Sequence, residues 1–348
     1  MSAPHGDGGW PEWWLRRTPL SWALWPLSLL FGWLTASRRG LYRAGVLRAR
    51  RLSAPVVVVG NLTVGGAGKT PLIAALAQGL QATGWHPGIV SRGYGREATA
   101  AALVDVRADG DPRQCGDEPV LLARMTGCPV MVGRRRAAAA HALLAAHPEV
   151  DIVLSDDGLQ HLALARDLEL AVVDQRLWGN GWLLPAGPLR ETSGRRRDAT
   201  LGPPVALRQL TDNAPRFVVQ RAPGDIAHLT NGERLSVDAF RQRFAGQPLG
   251  AIAGIGHPGQ FFAMLRTSGL SVQGVAVADH RSFPADALDA FPPGAPVLIT
   301  EKDAIKSTHL PPALRERLWV VGLRLDLPAE LLPWLTHQLE IARGRSTA

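Results

Sequence analysis

Cysteine is nearly absent from this 348-residue chain: Cys115 and Cys128 stand alone, with neither metal-ligand nor redox-motif spacing. That excludes a disulfide framework and a thiolate metal centre, and it points to a reducing, cytosolic setting. No internal repeat or low-complexity tract occurs, and the 46% hydrophobic content is that of a folded globule rather than a disordered chain. Charge is missing altogether between Arg17 and Arg38. No clean small-residue cleavage site accompanies that stretch, which argues against a signal peptide. The uncharged run is about the minimum spanning length, and Pro26 and Gly32 weaken it as a membrane-crossing helix.

Tryptophan and arginine crowd the same region. Trp10, Trp13, Trp14, Trp22, Trp25 and Trp33 are six of the eleven tryptophans. Residues 1–51 hold eight arginines against Asp7 and Glu12, so about +6 of the net +8 charge sits there. Indole favours the headgroup level, and arginine is attracted to anionic lipid and snorkels to it. A nucleic-acid site would interleave its cations with the aromatics, so an anionic membrane surface is the expected partner and nucleic acid is not. The expected form is a helix lying in the interface, with a true span or a packed hydrophobic element as alternatives.

Length suggests two domains. From residue 55 onward, apolar runs alternate with helical patterns at the pace of a doubly wound parallel sheet. Strands are expected at 56–60, 88–91, 102–106, 129–132, 151–155 and 168–174, with helices at 70–83, 118–126 and 134–147. A basic helix near 192–199 and β-like pieces at 205–210 and 216–220 follow. The turn-rich 224–235 stretch reads as a boundary, after which a second α/β unit runs to a closing helix near 329–343. The Gly254-Ile255-Gly256 turn is too weak for a dinucleotide fingerprint, lacking a third glycine in place and a ribose-binding acid.

The strongest motif lies between the run Val56-Val57-Val58-Val59 and a helix-like stretch. Thr63-Val64-Gly65-Gly66-Ala67-Gly68-Lys69-Thr70 makes a phosphate cradle there. Glycine backbone N–H groups converge on an anion, the helix dipole adds favourable potential, Lys69 reaches the outer phosphates and Thr70 offers its hydroxyl to Mg²⁺. Thr63 occupies a position where the general pattern has glycine, and Val64 stands where many such ATPases carry a second lysine. A nucleoside triphosphate is the expected ligand.

Asp156 and Asp157 follow the apolar strand at its carboxyl end, where ligands bind in open α/β sheets. Adjacent carboxylates there call for a cation, and a Mg²⁺ held by Thr70, the phosphates and one aspartate supplies it. In Gly116-Asp117-Glu118-Pro119, Asp117 is placed to accept a hydroxyl proton, although Asp-Glu at a helix start is also capping chemistry. If Asp117 meets His280 of the second domain, the imidazole orients or relays that proton. Arg92, Tyr94 and Arg96 lie on a glycine-rich turn suited to phosphate or sugar contact. Arg190 and Glu191 end a proline-rich turn, and 300–306 leaves a strand with alternating charges. The triplets 134–136 and 195–197 are expected to be exposed basic faces.

Together, GNLTVGGAGKTP at 60–71, SRGYGR at 91–96, GDEP at 116–119, DDGLQH at 156–161, PAGPLRE at 185–191, DH at 279–280 with Phe283, and TEKDAIK at 300–306 resemble the tetraacyldisaccharide 4'-kinase family. The resemblance implies a P-loop NTPase-type core and a smaller second α/β domain, divided as 1–48 docking segment, 49–222 core and 223–348 C-terminal domain. It implies transfer of the γ-phosphate of ATP, with Mg²⁺, to the 4'-hydroxyl of tetraacyldisaccharide 1-phosphate, giving lipid IVA at the cytoplasmic face of the bacterial inner membrane. Lys69, Asp117 and His280 would be catalytic, with Thr70, Asp156 and Asp157 at the metal. Arg92, Tyr94, Arg96, Glu118, Gln160, His161, Arg190 and Glu191 would support the substrate or the site. Arg281 replaces a second histidine frequent in the family, and Leu159 a frequent phenylalanine. An ATPase switch is disfavoured by Val64, and a metallochaperone-type GTPase by the lack of paired Cys/His ligands.

Overall fold

The structure is a computed structural model that describes residues 10–65, 68–97, 101–256, 258–278 and 283–346. The chain forms two compact units, one of residues 10–220 and 327 onward, the other of residues 221–326.

In the first unit eight strands form one sheet, ordered β3-β4-β2-β5-β1-β6-β7-β8. They are β1 Val56–Gly60, β2 Pro87–Ser91, β3 Leu103–Val106, β4 Val130–Gly133, β5 Ile152–Asp156, β6 Leu168–Val172, β7 Ala199–Gly202 and β8 Arg216–Val218. Every pair is parallel except the edge pair β3–β4. Helices cover both faces of such a sheet, so central strands read as unbroken apolar runs; Val56 to Val59 are at most 1% exposed. The helix Lys69–Ala82 buries Leu72, Ile73, Leu76 and Leu80 at helical spacing. Each such side chain contributes about 1.5–3 kcal/mol on full burial. The register sets Val59 beside Asp156, so the acid pair emerges on the strand next to the phosphate loop.

The second unit carries a six-stranded sheet ordered β10-β9-β14-β13-β11-β12. Its strands are β9 Gln220–His228, β10 Arg234–Leu235, β11 Leu249–Ala253, β12 Val272–Ala276, β13 Val297–Thr300 and β14 Leu318–Asp326. Phe240, Phe261, Phe262 and Trp319 fill the core on one side of it.

Several expected elements differ. The boundary falls at 220/221, just before the turn-rich segment, whose residues partly form β9 and β10. The closing helix Leu331–Ser346 belongs to the first unit rather than to a 223–348 domain. Leu332 packs where a Cβ on Gly79 would stand, 2.6 Å away, Trp334 meets Phe217 at 5.1 Å, and Arg343 stacks on Trp85 at 4.0 Å. Residues 192–198 are not helical, because Arg195 and Arg197 turn inward to buried ion pairs. The stretch 205–210 holds the end of a short helix, Pro204–Leu207, and the 216–220 piece supplies the eighth strand of the first sheet.

The uncharged N-terminal run forms the helix Pro19–Arg43, started by a capping box: Ser21 N–H donates to the Thr18 hydroxyl (3.3 Å) and Thr18 N–H to Ser21 Oγ (2.6 Å). Among the described residues no helix is long and apolar enough to cross a membrane. One face is fastened to the domain. Ser28 Oγ donates to Leu183 O (2.8 Å) and accepts from Ala186 N–H (3.0 Å), and a Cβ on Gly32 would meet Leu183 at 2.8 Å. The other face leaves Leu20, Trp22, Leu27, Leu30, Trp33 and Leu34 exposed.

The 91–96 and 115–117 loops touch backbone to backbone through two glycines. A Cβ on Gly93 would stand 2.7 Å from Cys115 O, and one on Gly116 would stand 2.9 Å from Tyr94 O. Gly116 also adopts φ 92, ψ 150, a region open essentially to glycine alone. Gly116→Ala is expected to destabilise the first unit by about 1–3 kcal/mol, read as a lowered urea midpoint at unchanged m-value.

Candidate active site

The site is built at the carboxyl ends of β1, β5 and β2, the side on which parallel sheets bind ligands. After β1 the chain turns through Gly65 at φ +95 and Gly68 at φ +80 before entering the helix at Lys69, with Thr70 next in its first turn. Gly66 and Ala67 lie outside the described residues. The loop's first half is pinned against the proline-rich turn: Thr63 bridges Leu189, Val64 N–H donates to Pro188 O (2.9 Å), and Arg190 N–H donates to Leu62 O (2.7 Å). Asn61 Nδ2 donates to Gly65 O (3.0 Å), while its Oδ1 accepts from Lys69 Nζ (3.0 Å). Asn61 thus shapes the loop and holds the lysine.

The two aspartates diverge. Asp156, 4% exposed, ends β5 with its carboxylate accepting from Ser91 Oγ (2.9 Å) at the end of β2. Asp157 sits at φ +48, a left-handed conformation that costs a non-glycine residue about 1–2 kcal/mol. That twist turns its carboxylate toward the phosphate loop, 3.5 Å from Lys69 Nζ, where Arg190 Nη1 grips both oxygens at 3.1 and 2.9 Å. Burial opposes the Asp157 charge, but Lys69 and Arg190 outweigh it and hold the carboxyl below its ordinary value. Burial, then Glu118 and Asp157, pushes Asp156 up to about 6, against the pull of Lys69 and Ser91.

Glu118 is therefore electrostatically beside Asp156, and Asp117, half-buried, is the first residue of the helix Asp117–Thr126. Arg92 is exposed and acts on His161 and Arg136. Burial and these two arginines bring His161 down to about 4, leaving it neutral at physiological pH. Tyr94 is 65% exposed, whereas Arg96 is spent on the Ala101 and Ala102 carbonyls (2.9 and 3.4 Å). His280, with Asp279 and Arg281, lies outside the described residues. In the second unit Asp303 of the 300–306 segment is buried, accepting from Thr300 Oγ1 (2.7 Å) and Gly254 N–H (3.1 Å), so it holds that unit's own loop.

Glu191 does not face the phosphate loop. It is buried, accepting from Arg195 Nη1 (2.8 Å), Gln160 Nε2 (3.1 Å) and Arg39 of the N-terminal helix. Gln160 Oε1 in turn stands 3.4 Å from Arg190 Nη1. Of the triplets expected to be exposed, Arg136, Arg195 and Arg197 are buried. Arg136 runs beneath the acid pair, donating to Gly133 O (2.8 Å) and Asp156 O (3.2 Å). Asn61, Ser91 and Arg136 are the site residues that the motif reading did not assign. The first two were flagged only by membership of the motifs, and nothing in the run of three arginines marks the third as interior.

The donors suit a hard cation: a threonine hydroxyl and a carboxylate whose own surroundings leave excess negative potential. Among the described residues no group of three or more His, Cys, Asp or Glu could hold a metal ion.

The raised Asp156 has a consequence for stability. Between its ordinary 3.8 and about 6 the native state binds more protons than the unfolded one, so stability falls as pH rises through that window. Above it the ionised carboxylate costs on the order of 3 kcal/mol. Asp156→Asn is therefore expected to melt higher than wild type at pH 7.5, with the advantage gone near pH 4; melting curves across that range check it.

Comparison with known proteins bears on what this geometry serves. The family model of tetraacyldisaccharide-1-P 4'-kinase (LpxK) matches residues 20–340. A tetraacyldisaccharide 4'-kinase of Azoarcus sp. (strain BH72) is 51% identical over 309 residues, 87% of this chain and 88% of its own length. That of Aromatoleum aromaticum is 46% identical over 349 residues, 97% of this chain and 98% of its own. The crystal structure of LpxK from Aquifex aeolicus in complex with ATP superposes with a TM-score of 0.74 at 27% identity, covering 92% of this chain and 99% of that one. A phosphate loop, an acid pair on the neighbouring strand and matches along nearly the whole length place this chain in the tetraacyldisaccharide 4'-kinase family.

Proposed function

We infer that this chain transfers the γ-phosphate of ATP to the 4'-hydroxyl of tetraacyldisaccharide 1-phosphate, giving lipid IVA. The observation that carries the reading is the convergence of Lys69, Asp157 and Arg190 beside the phosphate loop, with Asp156 on the adjoining strand. Lys69, already aimed by Asn61 and Asp157, is ready to exchange a carboxylate for the outer phosphates. The helix start at Gly68, Lys69 and Thr70 offers its backbone N–H groups to the phosphates, whereas Val64 N–H is already given to Pro188 O. Thr70 and Asp156 would hold Mg²⁺, with Asp157 orienting the set, and the ion would supply charge neutralisation at the phosphates.

Asp117 takes the proton from the attacking 4'-hydroxyl as the new O–P bond forms and the bond to the β-phosphate oxygen breaks, leaving ADP. Arg92 and Tyr94, exposed at the rim, are the groups we assign to the acceptor.

The acceptor is anchored by four acyl chains, and withdrawing one from a bilayer costs about 0.8 kcal/mol per CH₂. The enzyme must therefore work at the surface. The exposed face of the helix Pro19–Arg43, followed by Arg43, Arg48 and Arg50, suits insertion among headgroups at the cytoplasmic face of the inner membrane.

Supplying γ-labelled ATP and the glycolipid should move label into the lipid fraction; label recovered only as free phosphate would overturn the kinase reading in favour of an ATPase switch. Asp117→Ala should lower kcat by a factor of about 10²–10⁴ with ATP affinity little changed. Replacing Trp33 and Leu34 by Gln should reduce recovery on anionic vesicles several-fold while melting temperature stays put, because both side chains are exposed. Undiminished recovery would refute the docking face. Removing residues 1–48 is a poorer test, since that segment also supplies Trp10, Ser28 and Arg39 to the first unit's interior.

A further inference from the structure

Of the six N-terminal tryptophans, Trp22, Trp25 and Trp33 are exposed, whereas Trp10 and Trp14 pack against the first unit. Trp10 is 4% exposed, and its Nε1–H donates to Val64 O at 3.0 Å, inside the phosphate loop. Val64 N–H is already given to Pro188 O, so both backbone polar groups of Val64 are committed. The next residue, Gly65, passes so near the indole that a Cβ there would stand 3.3 Å from Nε1.

Trp10 is itself held on several sides. The Arg176 guanidinium lies over its ring at 4.0 Å, and Arg176 is paired with Asp174 (2.6 Å), which follows β6. Trp14 meets it edge-on at 6.1 Å and donates Nε1–H to Pro185 O (2.9 Å). The backbone between them is stitched to the 179–188 turn: Asn180 Nδ2 donates to Trp13 O (2.6 Å) and Asn180 N–H to Trp14 O (2.7 Å). Gly179, at φ +55, lets the strap approach, since a Cβ there would stand 2.3 Å from Trp14 O and 3.1 Å from Trp10 Cζ3.

We propose that residues 10–18 form a strap clamping the phosphate loop, with Trp10 as a positioning residue for the bound nucleoside triphosphate. The proposal rests on the ATP reading above and goes beyond the family match, which begins at residue 20. Its physical basis is preorganisation. A glycine-rich loop has many conformations, and amides that must converge on phosphate lose that freedom on binding. An indole that fixes Val64 from the side opposite Pro188 removes part of the loss in advance. Val64 occupies the position of a lysine in many related ATPases, so the loop is steadied here by a neighbouring side chain and not by a charge of its own.

Trp10→Phe separates the hydrogen bond from the stacking, because phenylalanine keeps a ring for Arg176 and loses the N–H donor. The expected result is an ATP Kd and KM raised about 3–10-fold, with kcat at saturating ATP within twofold and the acceptor KM unchanged. Trp10→Ala should raise the ATP Kd further. Unchanged ATP affinity in both variants overturns the proposal. So does a parallel loss in kcat and both KM values with a lowered melting temperature, the mark of a merely structural tryptophan. If Trp10→Ala fails to fold, Trp10→Phe decides alone. Because ATP binding is measured directly, a wild-type chain that binds ATP without phosphorylating the glycolipid counts against the kinase reading and leaves the strap test intact.

Discussion

Asp157 is the point through which the site's charges are connected. Its left-handed backbone turns one carboxylate of the pair away from the buried strand and toward Lys69 and Arg190, while Asp156 stays below against Ser91. Had both acids kept extended geometry, successive side chains would simply have alternated across the pleat. The local strain is small beside what it arranges: two cations held at the mouth of a phosphate loop, and a second carboxylate left with excess negative potential for a hard cation to relieve.

The same cluster reaches outward by one residue. Arg190 belongs to the site and Glu191 to the interior, where Arg39, Gln160 and Arg195 close around it. The helix whose outer face leaves Trp22 and Trp33 exposed is therefore fastened, at its carboxyl end, to the neighbour of a residue that holds Asp157. The N-terminal helix and the candidate site thus share one support, the 190–191 turn. On the function proposed above, that arrangement suits an acceptor anchored in a membrane, because reacting groups gain from being held in register.

Much was legible without coordinates. The alternation of apolar runs and helical patterns announced a parallel sheet, and the glycine-rich loop, the acid pair and the Asp117 turn fell where the carboxyl edge of that sheet lies. What was misread shares a cause. Arg136, Arg195 and Arg197 read as surface because three consecutive arginines have a composition but no visible partner; their partners are Asp156, 20 residues on, Glu191 and Glu169, 4 and 26 residues back, and Asp212, 15 residues on. Order in the chain puts the closing helix with the second unit, whereas Gly79 and Phe217 of the first supply its packing surface. Composition groups Trp10 and Trp14 with the exposed indoles, since it does not tell a packed tryptophan from an exposed one.

Local chemistry alone determined that this chain carries a phosphate cradle, a pair of acids on a strand end and an amphiphilic basic leader, because each depends on residues close in sequence. Only the tertiary structure decided which acid faces the cations, which arginines lie inside, and that an N-terminal tryptophan grips the loop. Those outcomes depend on pairings across tens to well over a hundred residues, where burial makes each polar group find a partner and the chain offers no local sign of which one it will be.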